Sequence, residues 1–182
     1  PGCGKRKGIN MGGGNHSTRA DYQGEELIEF LRDAKDDTGA EIHLEPGEAV
    51  ALDAGILVGT ILDTGFNGLP VAVADVSATC HMPDVIEAPY RPALMGEVED
   101  GQTYRLGGPA FLAGDAIGEY TWEHPLKVGD RFAFLDQAHY SMVKTNTFNG
   151  VPLPAIALWD SRMDELRMIR EFGYEDFRGR LS

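Results

Sequence analysis

The stretch Ile9–Gly14, INMGGG, leads from a short apolar segment into three consecutive glycines and predicts a strand that runs into a tight loop. Asp21 can cap a helix after this loop, and Thr38-Gly39 ends that helix. Apolar residues recur within it at helical spacing, at Leu27, Phe30, Leu31 and Ala34. A second strand is expected at Glu41–Glu45, before Pro46-Gly47 breaks it. The opening of the chain therefore predicts a strand–loop–helix–strand unit of an α/β layer.

After Gly47 the pattern changes to short strand-like segments: Ala49–Asp53, Ile56–Asp63, Val71–Val76, Thr103–Leu106 and Arg131–Leu135. Turn signals separate them, at Phe66-Asn67-Gly68, Glu99-Asp100-Gly101 and Val128-Gly129-Asp130. A late helix is expected at Met163–Phe172, because Met163, Leu166 and Ile169 share one side of it. This region therefore predicts a β-barrel or sandwich.

The predicted α/β unit cannot bury both faces of its strands by itself. It needs a further N-terminal region, a second chain or the β-domain to complete it.

The composition restricts the classes of function. The 182-residue sequence is 42% hydrophobic, which fits a folded protein, and its net charge is −13. Binding to phosphates needs a basic surface, so nucleic acid is not expected as a partner. The acidic charge would suit a cationic small molecule such as a polyamine, although acidity for solubility alone explains it as well.

The cellular setting is predicted from what the sequence lacks. No apolar run approaches the roughly 20 residues of a membrane span, and no signal-like leader opens the chain. Cys3 and Cys80 do not have the spacing of metal ligands. The expectation is a reduced, cytoplasmic protein with no metal and no membrane contact.

Two features in the α/β segment could carry chemistry. The glycines at 12–14 would let backbone amides approach a phosphate closely, although a structural turn is the ordinary explanation of such a run on its own. Glu45 follows a strand, where α/β barrels carry functional groups, although a solvent-facing acid at a turn is the alternative.

Several motifs occur together along the chain: GGG at 12–14, LEPGEA at 44–49, GGPAFLAGD at 107–115, AHY at 138–140 and TFNG at 147–150. In this order they resemble the motifs of the fold-type III pyridoxal-phosphate decarboxylases. The closest resemblance within that group is to the carboxynorspermidine (carboxyspermidine) decarboxylases. It covers nearly all of residues 9–160.

The resemblance implies an alanine-racemase-like architecture. Residues 1–47 would form the end of a (β/α)₈ barrel, and residues 48–182 a C-terminal β-domain with a late helix. A complete barrel takes about 250 residues. The chain is therefore expected to carry only the C-terminal half of such an enzyme.

The resemblance also assigns residues to pyridoxal 5'-phosphate. Gly12, Gly13 and Gly14 would cradle the phosphate, and Glu45 would pair with the pyridine nitrogen and keep the ring an electron sink. Tyr140, otherwise a packing residue on a strand, would bring its hydroxyl to the phosphate. Lys144 is not expected to be the cofactor lysine, which in the family lies far upstream near the start of the barrel.

Two residues near these motifs bear on the assignment. His16 continues the glycine motif, although the family usually has its histidine one position earlier, where Asn15 stands. On its own, His16 would be interpreted as an ordinary loop histidine. Glu48 stands where several relatives of the wider group have an arginine that contacts phosphate. The Glu-Pro-Gly-Glu-Ala form seen here belongs to the carboxynorspermidine branch.

The segment 75–92 is similar to the family segment that passes the distal amines of the substrate. The residues proposed to bind the substrate are Asp75, His81, Asp84 and Glu87, the acids by charge-assisted hydrogen bonds to ammonium groups. Acids that only cap turns in a proline-rich loop are the alternative. Arg91 is a candidate for an ion pair at the domain junction.

The largest departure from the family is Phe111. It stands in place of a cysteine that is donated across the dimer interface and helps return a proton to the α-carbon. Phenylalanine has no proton to give. Asp115 is retained as the catalytic candidate that binds the substrate amine across the same interface, and Cys80 is not at the cysteine's position.

The implied reaction is removal of the α-carboxylate of carboxynorspermidine or carboxyspermidine in polyamine biosynthesis, by a homodimer whose active sites lie at the interface. Two alternatives stay open. One is a related decarboxylase of diaminopimelate, ornithine or arginine, which the EPGEA motif and His81-Met82-Pro83-Asp84 disfavour. The other is a non-catalytic homologue that binds polyamines or regulates a full-length relative.

Overall fold

A computed structural model describes residues 8–181, which form two compact units that divide after Ala54. The predicted boundary after residue 47 precedes this division by one short helix. Cys3 lies outside the described residues.

The first unit is built on two short parallel strands joined by a helix. Strand β1 (Gly8–Asn10) pairs with β2 (Glu41–His43), and α1 (Gly24–Thr38) connects them. The helix ends at Gly39, whose left-handed backbone (φ 60°) lets its N–H reach the carbonyl of Lys35. The predicted strand–helix–strand unit and the end of its helix are therefore confirmed.

Two local predictions for this unit are wrong. The residue that caps α1 is Gln23, because the Asp21 carboxylate instead binds the guanidinium of Arg19. The strand expected at Ala49–Asp53 is a helix, α2 (Gly47–Ala51). Pro46 precedes it with a φ near the helical value, and the alanines that follow favour a helix.

The second unit is built around one five-stranded sheet. Its strands are β3 (Leu57–Phe66), β4 (Pro70–Ala74), β5 (Gln102–Gly107), β6 (Ala116–Trp122) and β7 (Arg131–Phe134). Their spatial order is β6-β5-β4-β3-β7. All pairs are antiparallel except β4 with β5, because two short helices, α3 (Ala78–His81) and α4 (Asp84–Glu87), lie in the connection between them.

One face of this sheet carries the core. Leu106, Tyr120 and Phe134 are fully buried, and the rings of Tyr120 and Phe134 lie 5.3 Å apart between centroids. Side chains alternate between buried and exposed along β5, as expected for a sheet with one face on a core. The second unit is therefore rich in strands, and the predicted strands that correspond to β3, β4, β5 and β7 are confirmed.

Strand β6 was not predicted. Gly118, Glu119 and Thr121 interrupt its apolar pattern, and its outer face is instead held by polar cross-strand pairs with β5. Arg105 bonds Glu119 at 2.7 Å, and the hydroxyls of Thr103 and Thr121 are 2.8 Å apart.

The late helix expected at Met163–Phe172 is wrong. The region contains a hairpin of β8 (Ile156–Asp160) and β9 (Glu165–Arg170). The Asp160 carboxylate accepts hydrogen bonds from the N–H groups of Arg162 and Met163, which forms a turn where the helix would have to run. The remaining elements are α5 (Tyr140–Val143), a 3₁₀ turn (Phe148–Gly150) and α6 (Tyr174–Arg178).

Within residues 8–181, every helix is too short or too polar to cross a bilayer.

Candidate active site

The glycine loop and Glu45 lie together in the first unit. Both follow parallel strands at their carboxyl ends, the loop after β1 and Glu45 after β2. The N–H of Glu45 donates to the carbonyl of Gly12 at 2.8 Å, and the N–H of Met11 donates to the carbonyl of His43 at 3.0 Å. These bonds extend the β1–β2 pairing into the loop and fix Glu45 beside the glycines.

The loop backbone requires glycine at each of its three positions. Gly12 and Gly14 have left-handed φ values of 74° and 84°, and a Cβ on either would point into open space. A Cβ on Gly13 would lie 2.5 Å from the carbonyl oxygen of Glu45. The loop therefore leaves backbone with no side chains in the way, which is what close approach to a phosphate needs.

The Glu45 carboxylate is exposed and oriented by Asn10, whose Nδ2 donates to Oε1 at 2.6 Å. The same Asn10 accepts the N–H of Gly12 at 2.8 Å, so one side chain links the loop to the carboxylate. His16 pairs through Nδ1 with the Glu48 carboxylate at the start of α2. A glycine loop without side chains, next to an oriented carboxylate, would fit the phosphate and the protonated ring nitrogen of pyridoxal phosphate.

In the second unit, Asp115 is buried and accepts hydrogen bonds with both carboxylate oxygens. The Ser77 hydroxyl lies 2.9 Å from Oδ1 and 3.0 Å from Oδ2. The N–H of Thr79 donates to Oδ1 and the N–H of Ala110 to Oδ2, each at 3.0 Å. Asp115 thereby joins α3 to the loop 107–115. A Cβ on Gly108 would lie 2.5 Å from Oδ2, so this loop also needs its glycine.

Phe111 lies at the tip of the loop that Asp115 holds. Its side chain is 96% exposed and its backbone is left-handed, with φ 64°. A non-glycine residue pays about 1 to 2 kcal/mol for this conformation. An exposed ring on a strained backbone is a feature of a functional or interface loop rather than of a packing position.

His81 is buried in α3, and backbone groups occupy both of its ring nitrogens. The N–H of Ser77 donates to Nδ1 at 3.2 Å, and Nε2 lies 2.9 Å from the carbonyl of Pro152. This pattern matches a neutral ring that carries its proton on Nε2. Burial lowers the pKa of His81, against the Pro152 carbonyl and the Asp115 and Asp75 charges, which raise it. The ring has no nitrogen left for a substrate in this arrangement.

The three acids proposed to bind substrate lie in different settings. Asp75 is exposed at the end of β4, where its Oδ1 accepts the N–H of Thr60 at 2.7 Å. Asp84 and Glu87 both lie on α4 and face one cation, Lys144: Asp84 accepts a hydrogen bond from Nζ, and Glu87 Oε2 lies 3.7 Å from it. The structure therefore brings Asp84 and Glu87 together and leaves Asp75 separate.

Tyr140 is the first residue of α5, not part of a strand, and its side chain is 65% exposed. The Lys144 ammonium lies 5.0 Å from the centre of its ring. Arg91, expected at the domain junction, stacks on Tyr120 and binds the carbonyl of Glu119, so it fastens the second unit internally.

Sequence reasoning missed Ser77 and Thr79, and it weighed Lys144 only as a cofactor lysine. Ser77 is the N-cap of α3 and its hydroxyl also accepts the N–H of Cys80 at 3.0 Å, so a capping pattern was the available signal. Within residues 8–181 no cluster of three or more metal-ligating side chains occurs.

No protein-family model matches the chain. The chain is 40% identical over 188 residues to the carboxynorspermidine/carboxyspermidine decarboxylase of Campylobacter jejuni, across 96% of its own length and 49% of the relative's. It is 43% identical over 179 residues to the carboxyaminopropylagmatine decarboxylase of Synechocystis, across 96% of its own length and 46% of the relative's. It thus spans about half the length of these curated relatives.

Solved structures agree with this relationship. The crystal structure of carboxynorspermidine decarboxylase from Campylobacter jejuni, complexed with norspermidine, matches with a TM-score of 0.83 at 40% identity, over 96% of this chain and 51% of that one. Diaminopimelate decarboxylase from M. jannaschii, in complex with L-lysine, has a TM-score of 0.73 at 22% identity over 96% of this chain and 42% of that one, which indicates a shared fold. The resemblance predicted from the motifs is confirmed.

Proposed function

We propose that this chain, a relative of the carboxynorspermidine/carboxyspermidine decarboxylases over 96% of its length, forms the corresponding part of a pyridoxal-phosphate-dependent decarboxylase. The observation that carries the proposal is the Gly12–Gly14 loop beside an oriented Glu45, with the Glu45 N–H on the Gly12 carbonyl at 2.8 Å.

Each residue has a defined task in this proposal. The N–H groups of Gly13 and Gly14 bind the cofactor phosphate, while the Gly12 N–H is held by Asn10. The family resemblance assigns the Tyr140 hydroxyl to the same phosphate. Glu45, held by Asn10, keeps a proton on the pyridine nitrogen. Bound pyridoxal phosphate supplies a conjugated ring that takes up the electron pair left when the α-carboxylate departs as carbon dioxide. Among the described residues we assign no lysine to the cofactor.

The α-carbon must then receive a proton to complete the decarboxylation. Phe111 cannot supply it, so we propose that the proton comes from another donor, such as solvent, and that this step is slow in this protein. Phe111 is exposed on a left-handed backbone, and Asp115 holds the loop by accepting the N–H of the neighbouring Ala110. In a homodimer this loop would reach the partner's active site.

The proposed substrates are α-amino acids with a long cationic tail. Carboxynorspermidine and carboxyspermidine come first, and the Synechocystis relative adds carboxyaminopropylagmatine. The net charge of −13 is compatible with such cations. The same resemblance leads us to propose a cytoplasmic homodimer that acts in polyamine biosynthesis.

A complementation assay tests this function. The chain would be mixed with pyridoxal phosphate and with the half of the Campylobacter relative that it does not match. Release of carbon dioxide would then be followed from the three polyamine precursors, from diaminopimelate and from arginine. We expect turnover of a polyamine precursor in the mixture, and a preference for diaminopimelate or arginine would overturn the substrate assignment.

A non-catalytic polyamine-binding protein is the second candidate, because Phe111 provides no acid. It predicts that norspermidine binds while no precursor loses carbon dioxide in any mixture.

A further inference from the structure

Lys144 connects two short helices of the second unit. Its ammonium donates to Asp84, lies 3.7 Å from Glu87 Oε2 and lies 5.0 Å from the centre of the Tyr140 ring. Asp84 and Glu87 belong to α4, and Tyr140 begins α5. The hydrogen bond to Asp84 raises the pKa of Lys144 above its ordinary value.

The segment that carries Tyr140 has few other fastenings. Backbone bonds anchor its flanks, from Gln137 N–H to the Gly55 carbonyl at 2.8 Å and from Asn146 N–H to the Cys80 carbonyl at 2.9 Å. Between these anchors, α5 buries none of its residues. Its own bonds do not link it to another element: they run from Val143 N–H to the His139 carbonyl at 3.4 Å and from Lys144 N–H to the Tyr140 carbonyl at 2.9 Å. The Lys144 side chain makes that link, by ion pairs to α4.

We propose that Lys144 is a positioning residue, which holds Tyr140 through its contacts with Asp84 and Glu87. The two acids then serve to anchor Lys144 rather than to bind the distal amines of a substrate. A polyamine ammonium would have to displace an internal ammonium that already faces both carboxylates. This inference rests on the proposed function, in which Tyr140 binds the cofactor phosphate.

The first test needs no cofactor. Hydrogen exchange would be measured at the amides of Val143 and residue 144 in the wild-type chain, in Lys144→Met and in Lys144→Arg. Loss of a partly exposed ion-pair network is expected to speed exchange by about 3-fold in Lys144→Met. Lys144→Arg keeps the charge and should exchange as the wild type does. Lys127→Met is the matched control, because Lys127 is exposed in a loop and belongs to neither helix.

The second test measures phosphate recognition. Pyridoxamine 5'-phosphate and pyridoxamine are the probes, since neither has an aldehyde that would react with surface lysines. Lys144→Met should weaken binding of pyridoxamine 5'-phosphate by about 3-fold and leave binding of pyridoxamine unchanged. Asp84→Asn should have the same effect, and the double variant Asp84→Asn/Lys144→Met should be no weaker than either single variant.

Two results would overturn the proposal. One is equal exchange rates in the wild type and Lys144→Met. The other is a loss of norspermidine affinity in Asp84→Asn/Glu87→Gln with exchange at α5 unchanged, which would return the acids to substrate binding. If the wild type binds neither probe, the proposed function fails, while the exchange rates still decide the role of Lys144.

Discussion

The hydroxyl of Ser77 bonds the carboxylate of Asp115, 2.9 Å from one oxygen and 3.0 Å from the other, across 38 residues of sequence. This pair joins the N-terminus of α3 to the loop whose tip is Phe111. The residue expected to bind substrate thus has a structural task in its own subunit. Its two oxygens already accept three donors, from Ser77, Thr79 and Ala110.

We expect Asp115→Asn to lower the free energy of unfolding by about 2 to 4 kcal/mol. The new amide group would face N–H and O–H donors and leave at least one of them buried without an acceptor. Urea unfolding of both proteins measures the change. Asp100→Asn, at an exposed turn, is the matched control. Equal stabilities of Asp115→Asn and the wild type would show that the network does not hold the loop.

We expect His81 to make stability depend on pH. Burial lowers its pKa in the folded protein below the ordinary value of 6.5, so the unfolded chain takes up its proton first as pH falls. The stability that the neutral His81 ring contributes to the folded protein is therefore complete above about pH 6.5 and is lost progressively below it.

Unfolding free energies between pH 7.5 and pH 5.5 test this sign. The unfolding free energy should fall less steeply with decreasing pH in His81→Gln than in the wild type. His124→Gln is the control and should follow the wild type, since the His124 side chain is 81% exposed. Parallel pH profiles for His81→Gln and the wild type would refute the burial argument.

We expect Gly13→Ala to weaken pyridoxamine 5'-phosphate binding by about 10-fold or more, because small displacements of a positioned group are costly. The added Cβ would meet the Glu45 carbonyl at 2.5 Å and push the loop away from that residue. Calorimetry would compare it with Gly24→Ala, where a Cβ meets nothing within 4 Å. Matching affinities in the two variants would exclude a tight loop as the binding element.

We expect Phe111→Cys to raise norspermidine formation from carboxynorspermidine in the complemented enzyme by about 100-fold, the usual contribution of a positioned general acid. Chromatography of the products measures it. Leu112→Cys places the same thiol one residue further on and should change little. If Phe111→Cys formed norspermidine no faster than Leu112→Cys, Phe111 would not limit the reaction.

Sequence reasoning reached the parts of the fold that local patterns determine. The apolar spacing of α1 and its glycine end gave the helix, and alternation with turn signals gave four strands of the sheet. It failed where polar side chains decide the structure through hydrogen bonds. Asp160 turns the chain where apolar spacing suggested a helix, and polar pairs with β5 support the unpredicted β6.

The candidate site was predictable in part for similar reasons. Motifs point to the glycine loop and Glu45, which the structure brings together through the Glu45 N–H and the Gly12 carbonyl. Motifs do not reveal that Lys144 faces Asp84 and Glu87, because those residues are distant in sequence and meet only through the packing of α4 and α5.

The most direct test of the cofactor site is an NMR titration of the chain with pyridoxamine 5'-phosphate, read at the amides of Gly12, Gly13 and Gly14. We predict saturable shifts of these amides with the phosphorylated probe and little change with pyridoxamine. Unchanged glycine amides, or equal shifts with both probes, would contradict the assignment of this loop to the phosphate.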